Sequence, residues 1–149
     1  MQKILLSLAL VMSLVSMAKA QTDRTLQEID SLTASPKFII TDPQEVLKHD
    51  NELIVVEGCV VKASLKENVK GKPIFMDMFV AYPNNVLTIA IWEEDQAQFL
   101  SAADYQQKKV RVSGRAKKKT YTNAGKTQER VTISLHNSNQ ITILEDCKQ

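Results

Sequence analysis

The sequence predicts a mainly β domain, a five-stranded Greek-key barrel with one helix between the third and fourth strands. Three observations predict it. Segments rich in β-branched residues recur from Leu53 to Leu144, each bounded by Gly, Pro, Asn or Lys-rich turns. Between them only Glu93 to Asp104 has helical spacing. The chain's 149 residues suit one domain with a short appendage, and its four Gly, four Pro and two Cys exclude a low-complexity chain or a disulfide-dense scaffold.

Lys3 precedes an apolar run of 14 residues, Ile4 to Met17, and Ala18-Lys19-Ala20 follows as a small-x-small cleavage pattern. The run is short of the roughly 20 residues that span a bilayer. Residues 1–20 therefore read as a signal peptide, with an uncleaved anchor as the alternative. No cysteine follows the cleavage pattern, which argues against a lipid anchor. The expectation is export to the periplasm or medium, with no membrane association after cleavage. Residues 21–40 form a polar leader, with Leu26, Ile29 and Leu32 spaced for a short helix. The domain itself is expected over residues 41–149.

Asp42-Pro43 starts a short helix over Gln44 to His49, because Asp caps and Pro fits the first helical position. Leu53 to Leu65 carries Ile54, Val55, Val56, Val60 and Val61 and reads as one long strand, with Gly58 marking a bulge or coil. Ile74 to Ala81 is the second strand and Val86 to Trp92 the third, joined by the turn Tyr82-Pro83-Asn84-Asn85. In the helical segment Ala97, Leu100 and Ala103 share a spacing of three, with acids in its first turn. Val110 and Val112 alternate with Lys109 and Arg111 in the fourth strand. Thr120 to Thr127 is the following loop, and Val131, Ile133 and Leu135 make the fifth strand. Ile141 to Leu144 is a short last strand. A helix after the third of five antiparallel strands is the order of the OB-fold. A small α+β sandwich or another small barrel is the alternative.

The stretches Ile74-Phe75-Met76-Asp77-Met78, Tyr82-Pro83-Asn84-Asn85 and Leu87-Thr88-Ile89 resemble a family of small bacterial OB-fold domains. These are often exported and are described as nucleic-acid-binding. Val56-Glu57-Gly58-Cys59-Val60-Val61 is similar to that family's first strand, and Lys109 to Gly114 to its fourth. Ser138-Asn139-Gln140-Ile141 resembles its closing segment, so the resemblance runs from Thr41 to Leu144. Phe79-Val80 departs from it, standing where small residues are common, and Cys59 replaces a residue that is usually polar.

Without residues 1–20 the basic and acidic residues balance at 17 each. Their distribution is uneven: Lys108 to Arg130 holds nine basic residues against Glu129 alone. Arg115, Lys117, Lys119 and Tyr121 alternate out of the fourth strand, and Lys126 lies in the next loop. Phosphates want cations and unstacked bases want flat side chains. The candidate ligand-binding residues are therefore Phe75, Asp77, Thr88, Arg115, Lys117, Lys119, Tyr121 and Lys126, with single-stranded nucleic acid or another polyanion as partner. Alternatively, the lysines only protect a sheet edge, and the module binds protein or peptide in the cell envelope. Trp92 reads as a core plug.

His49 and His136 have no Cys or acidic residue at ligand spacing, and Glu93-Glu94-Asp95 point apart on a helix. There is no glycine-rich phosphate loop and no Gly-x-Ser-x-Gly elbow. The expectation is no catalysis, no metal and no cofactor. Cys59 and Cys147 allow one bridge, worth roughly 4 kcal/mol in loop-closure entropy; a buried free Cys59 and a tail cysteine are the alternative.

Overall fold

The computed structural model describes residues 38–148 apart from Ala124, so the expected signal peptide and most of the leader lie outside the described residues. These residues are mainly β. The strands are β1 (Ile39–Ile40), β2 (Leu53–Leu65), β3 (Ile74–Met78), β4 (Leu87–Ile91), β5 (Lys108–Asn123), β6 (Lys126–Leu135) and β7 (Ile141–Asp146). Two short helices, α1 (Pro43–Val46) and α2 (Ala102–Tyr105), and two 3₁₀ turns complete the elements. No helix among the described residues is long and apolar enough to cross a membrane.

The pairings run in a ring. β2 pairs with β3, β3 with β4, β4 with β6, β6 with β5, and β5 returns to β2. The β4–β6 pair is parallel and the other four are antiparallel. β1 adds to β2 in parallel and β7 adds to β5 antiparallel. The described residues therefore form seven strands where the sequence predicts five and a short terminal one. Ile39–Ile40, placed in the leader by the sequence reading, is a strand because Ile39 and Ile40 pair with Val55 and Val56.

Ring closure needs two strands long enough to serve two partners. The first half of β2, Leu53 to Cys59, pairs with β5, and its second half, Val60 to Leu65, pairs with β3. A register shift falls between Val60 and Lys62, just after Gly58. β5 likewise pairs with β2 up to Arg115 and with β6 from Ala116 on. A glycine sits near each changeover, Gly58 in β2 and Gly114 in β5. A Cβ at Gly114 would lie 2.4 Å from Ile133 Cγ2, and one at Gly58 2.4 Å from the Phe79 ring. Phe79 itself follows β3 with φ +67°, an uncommon conformation for a bulky residue. Ile133 is fully buried and cannot yield into a filled core. Gly114→Ala is expected to destabilise the fold by roughly 1–3 kcal/mol, the range for overpacking. Urea unfolding measures this, and an unchanged midpoint contradicts it.

Period-two alternation sets the core. Met76 and Met78, Leu87, Ile89 and Ile91, and Val131, Ile133 and Leu135 point into the ring and are fully buried. Val56, Val60, Val110, Val112 and Ala116 join them from β2 and β5.

The expected helix over Glu93–Asp104 is replaced by a 3₁₀ turn, Gln96–Gln98, and α2. Phe99 is extended between them, and Ser101 starts the chain afresh, its N–H and Oγ donating to Asp104 Oδ2 at 3.0 and 2.6 Å. The predicted stripe of Ala97, Leu100 and Ala103 is exposed. Phe99, Ala102 and Tyr105 pack on the core instead, with Tyr105 buried. Burial pushes the Tyr105 hydroxyl above its ordinary pKa.

Cys59 and Cys147 are joined as a disulfide, with Cα atoms 5.9 Å apart. β7 brings the tail to β5, and Cys147 N–H donates to Gln107 O at 2.9 Å, which aims the tail at β2.

Candidate nucleic-acid interface

The same alternation that buries the core turns a second set of residues outward on β2, β3, β4, β6 and β5. Lys62, Asp77, Thr88, Thr132 and Lys117 are successive cross-strand partners, forming one row over five strands. Ser64, Phe75, Ala90 and Ser134 form the next row. Arg130 pairs with Lys119, and Gln128 with Tyr121, in the rows beyond Thr132. The coiled sheet curves these rows into a groove of about 800 Å³.

Of the eight candidate ligand residues, Phe75, Asp77, Thr88, Lys117, Lys119 and Tyr121 line this groove. Arg115 and Lys126 do not. The Arg115 guanidinium donates to Asn51 O in the segment just before β2. Lys126 opens β6 at the hairpin tip. The expected loop Thr120–Thr127 is mostly strand, since Thr120, Tyr121 and Thr122 pair with Glu129, Gln128 and Thr127. That regular pairing is what keeps Lys117, Lys119 and Tyr121 on one face.

The basic segment divides by face. Lys109 Nζ meets Glu145 Oε1 at 3.2 Å, and Lys118 Nζ meets Glu129 Oε1 at 3.4 Å. Lys108 pairs with Asp146, and Arg111 with Glu57. The groove cations are Lys62, Lys66, Lys117, Lys119 and Arg130, against the acids Asp77 and Glu94. Among the described residues, none of these five cations forms an ion pair. Lys62 and Lys66 stand on the β2 side and Lys117 and Lys119 on the β5 side. Between them the rows carry Thr88, Thr132, Phe75, Ala90 and Ser134, with Asp77 and Arg130 as the charged members.

Flat side chains concentrate in the same place. Four of the chain's eight Phe, Trp and Tyr residues line the groove: Phe75, Tyr82, Trp92 and Tyr121. Trp92, expected in the core, is half-buried at the groove edge, because it lies past the end of β4 on the outward side. Its Nε1–H donates to Ser134 Oγ at 3.2 Å, and its ring meets Phe75 edge-on at 6.3 Å.

Asp77 lines the groove and also has a structural part. Its Oδ1 accepts from Asn85 Nδ2 at 3.0 Å and Thr88 Oγ at 3.1 Å, and its Oδ2 accepts from Tyr82 N–H at 3.1 Å. The carboxylate is buried and anchors the turn that carries Tyr82. Tyr82, Asn85, Trp92 and Arg130, with Lys62 and Lys66, are among the groove residues outside the set of ligand-binding candidates read from the sequence. Alternation on β6 does place Arg130, Thr132 and Ser134 opposite Val131 and Ile133, and that signal points to them.

His136 lines one end of the groove with Nδ1 2.8 Å from Asp95 Oδ2. Among the described residues no group of three or more His, Cys, Asp and Glu side chains is placed to hold a metal ion.

No family model and no curated protein matches the chain. Seven chains of solved structures match it. One is an aspartyl tRNA synthetase from Entamoeba histolytica, 14% identical with a TM-score of 0.48; the match covers 73% of this chain and 22% of that one.

Proposed function

We propose that the chain is an exported, non-catalytic module of the OB-fold type whose groove binds single-stranded nucleic acid. The observation that carries this reading is the coincidence in one groove of four aromatic rings and five cations that form no ion pair among the described residues. Duplex backbones need cations only; a strand with unstacked bases needs both cations and rings. The ring order of five strands, with α2 between its third and fourth members in chain order, supports the OB-fold assignment. The Cys59–Cys147 bridge supports an oxidising compartment, and so does the cleavage pattern Ala18-Lys19-Ala20.

Fluorescence anisotropy with a labelled oligothymidylate over a range of salt concentrations tests the reading. For a single strand, removing one cation that neutralises a phosphate flattens the log–log salt slope by roughly 0.7. Lys117→Gln with Lys119→Gln is expected to flatten it by about 1.4. Lys126→Gln, outside the groove, is expected to leave it unchanged. A wild type without salt-dependent affinity for any oligonucleotide at low ionic strength defeats the proposal and favours a protein or peptide ligand. Equal affinity for heparin would assign the groove to acidic polymers at large.

A further inference from the structure

One end of the groove is built differently from the rest. The Arg130 guanidinium carbon lies 5.1 Å from the centre of the Tyr82 ring and 5.3 Å from that of Tyr121. The cation is thus held between two rings, an arrangement favoured by their quadrupoles. Arg130 Nη2 donates to Pro83 O at 2.7 Å and to Gln128 Oε1 at 3.2 Å, and Nε is buried. The turn beneath Tyr82 is fixed from the other side by Asp77 and by Gln128 Nε2, which donates to Asn85 O at 3.0 Å. Tyr82 is nevertheless 63% exposed and Tyr121 44% exposed. Each ring has one face against the guanidinium and area left open to solvent.

We infer that Tyr82, Arg130 and Tyr121 form a preassembled stacking site for an unpaired nucleobase, in which Arg130 positions the rings and does not hold a phosphate. The inference rests on the single-strand reading and adds to it a subsite and a division of labour. Lys117 and Lys119 supply the salt-dependent part of binding, while Arg130, already engaged with two carbonyl oxygens and two rings, supplies order. A side chain with four such engagements is less free to follow a phosphate than a lysine without a partner. Preassembly matters because rings already held in place lose little freedom when a base arrives.

The test compares wild type, Arg130→Gln, Tyr82→Ala and the Lys117→Gln, Lys119→Gln pair in the oligothymidylate titration, with thermal unfolding confirming the fold of each. Tyr82→Ala and Arg130→Gln should each weaken binding roughly fivefold or more with the salt slope unchanged. The lysine pair should flatten the slope. In the free protein, the ring proton signals of both Tyr82 and Tyr121 should move in Arg130→Gln. A slope flattened by roughly 0.7 in Arg130→Gln makes Arg130 a phosphate contact and overturns the inference. So does unchanged affinity in that variant or in Tyr82→Ala, or ring signals that stay in place. Absence of wild-type binding overturns the nucleic-acid reading itself, a different result from any of these.

Discussion

Replacing Cys59 and Cys147 together by serine is expected to lower the free energy of unfolding by about 4 kcal/mol, the loop-closure entropy of tying residues 88 apart. The whole stability of a domain this size is about 5–15 kcal/mol, so the loss is a large fraction of it. The effect comes mainly from the unfolded chain, which regains the freedom the bridge removes. In the folded state β7 keeps its pairing with β5, and the ion pairs of Lys108 and Lys109 with its end remain. Chemical denaturation of the variant against the oxidised wild type measures the difference. Equal midpoints would show that the bridge does not form in the purified protein.

Asp77→Ala should cost at least about 2 kcal/mol in the absence of any ligand, at roughly 1–3 kcal/mol for each buried donor left without a partner. Tyr82 N–H and the Thr88 hydroxyl both lose their acceptor, while Asn85 Nδ2 retains one in Thr88 Oγ at 2.6 Å. A carboxylate that served ligand alone would show the opposite pattern, with unfolding unchanged and binding abolished. Asp77→Asn separates charge from hydrogen bonding, because its amide offers one acceptor oxygen in place of two. Stability of Asp77→Ala equal to wild type would remove the anchoring role.

The strands are legible in the sequence because one face of each is buried, and alternation such as Ile74-Met76-Met78 records that burial directly. The same alternation puts Phe75, Asp77 and Thr88 outward, and Lys117, Lys119 and Tyr121 together. What alternation does not record is which strand lies next to which. The parallel β4–β6 pair brings Thr88 beside Thr132, and nothing local in either segment announces it. In the sequence Arg130 is therefore one more charge in a basic run and not the filling of a tyrosine pair. The run itself overstates the free charge. Glu57, Glu145 and Asp146, remote in sequence, neutralise three of its members. The helix differs for a simpler reason. Ala97, Leu100 and Ala103 have the same spacing as Phe99, Ala102 and Tyr105, and only packing decides which set faces inward.

The two long strands each belong to more than one partnership, and this has a consequence for how the molecule opens. β2 is shared by β3 and β5, and β5 by β2, β6 and β7. The two flanks use different stretches of β2 and of β5, but each of these strands runs unbroken from one flank into the other and ties them together. Amide hydrogens in the middle of β2 and β5 should exchange with solvent only through global unfolding, so the described domain behaves as one cooperative unit and not as two independently breathing halves.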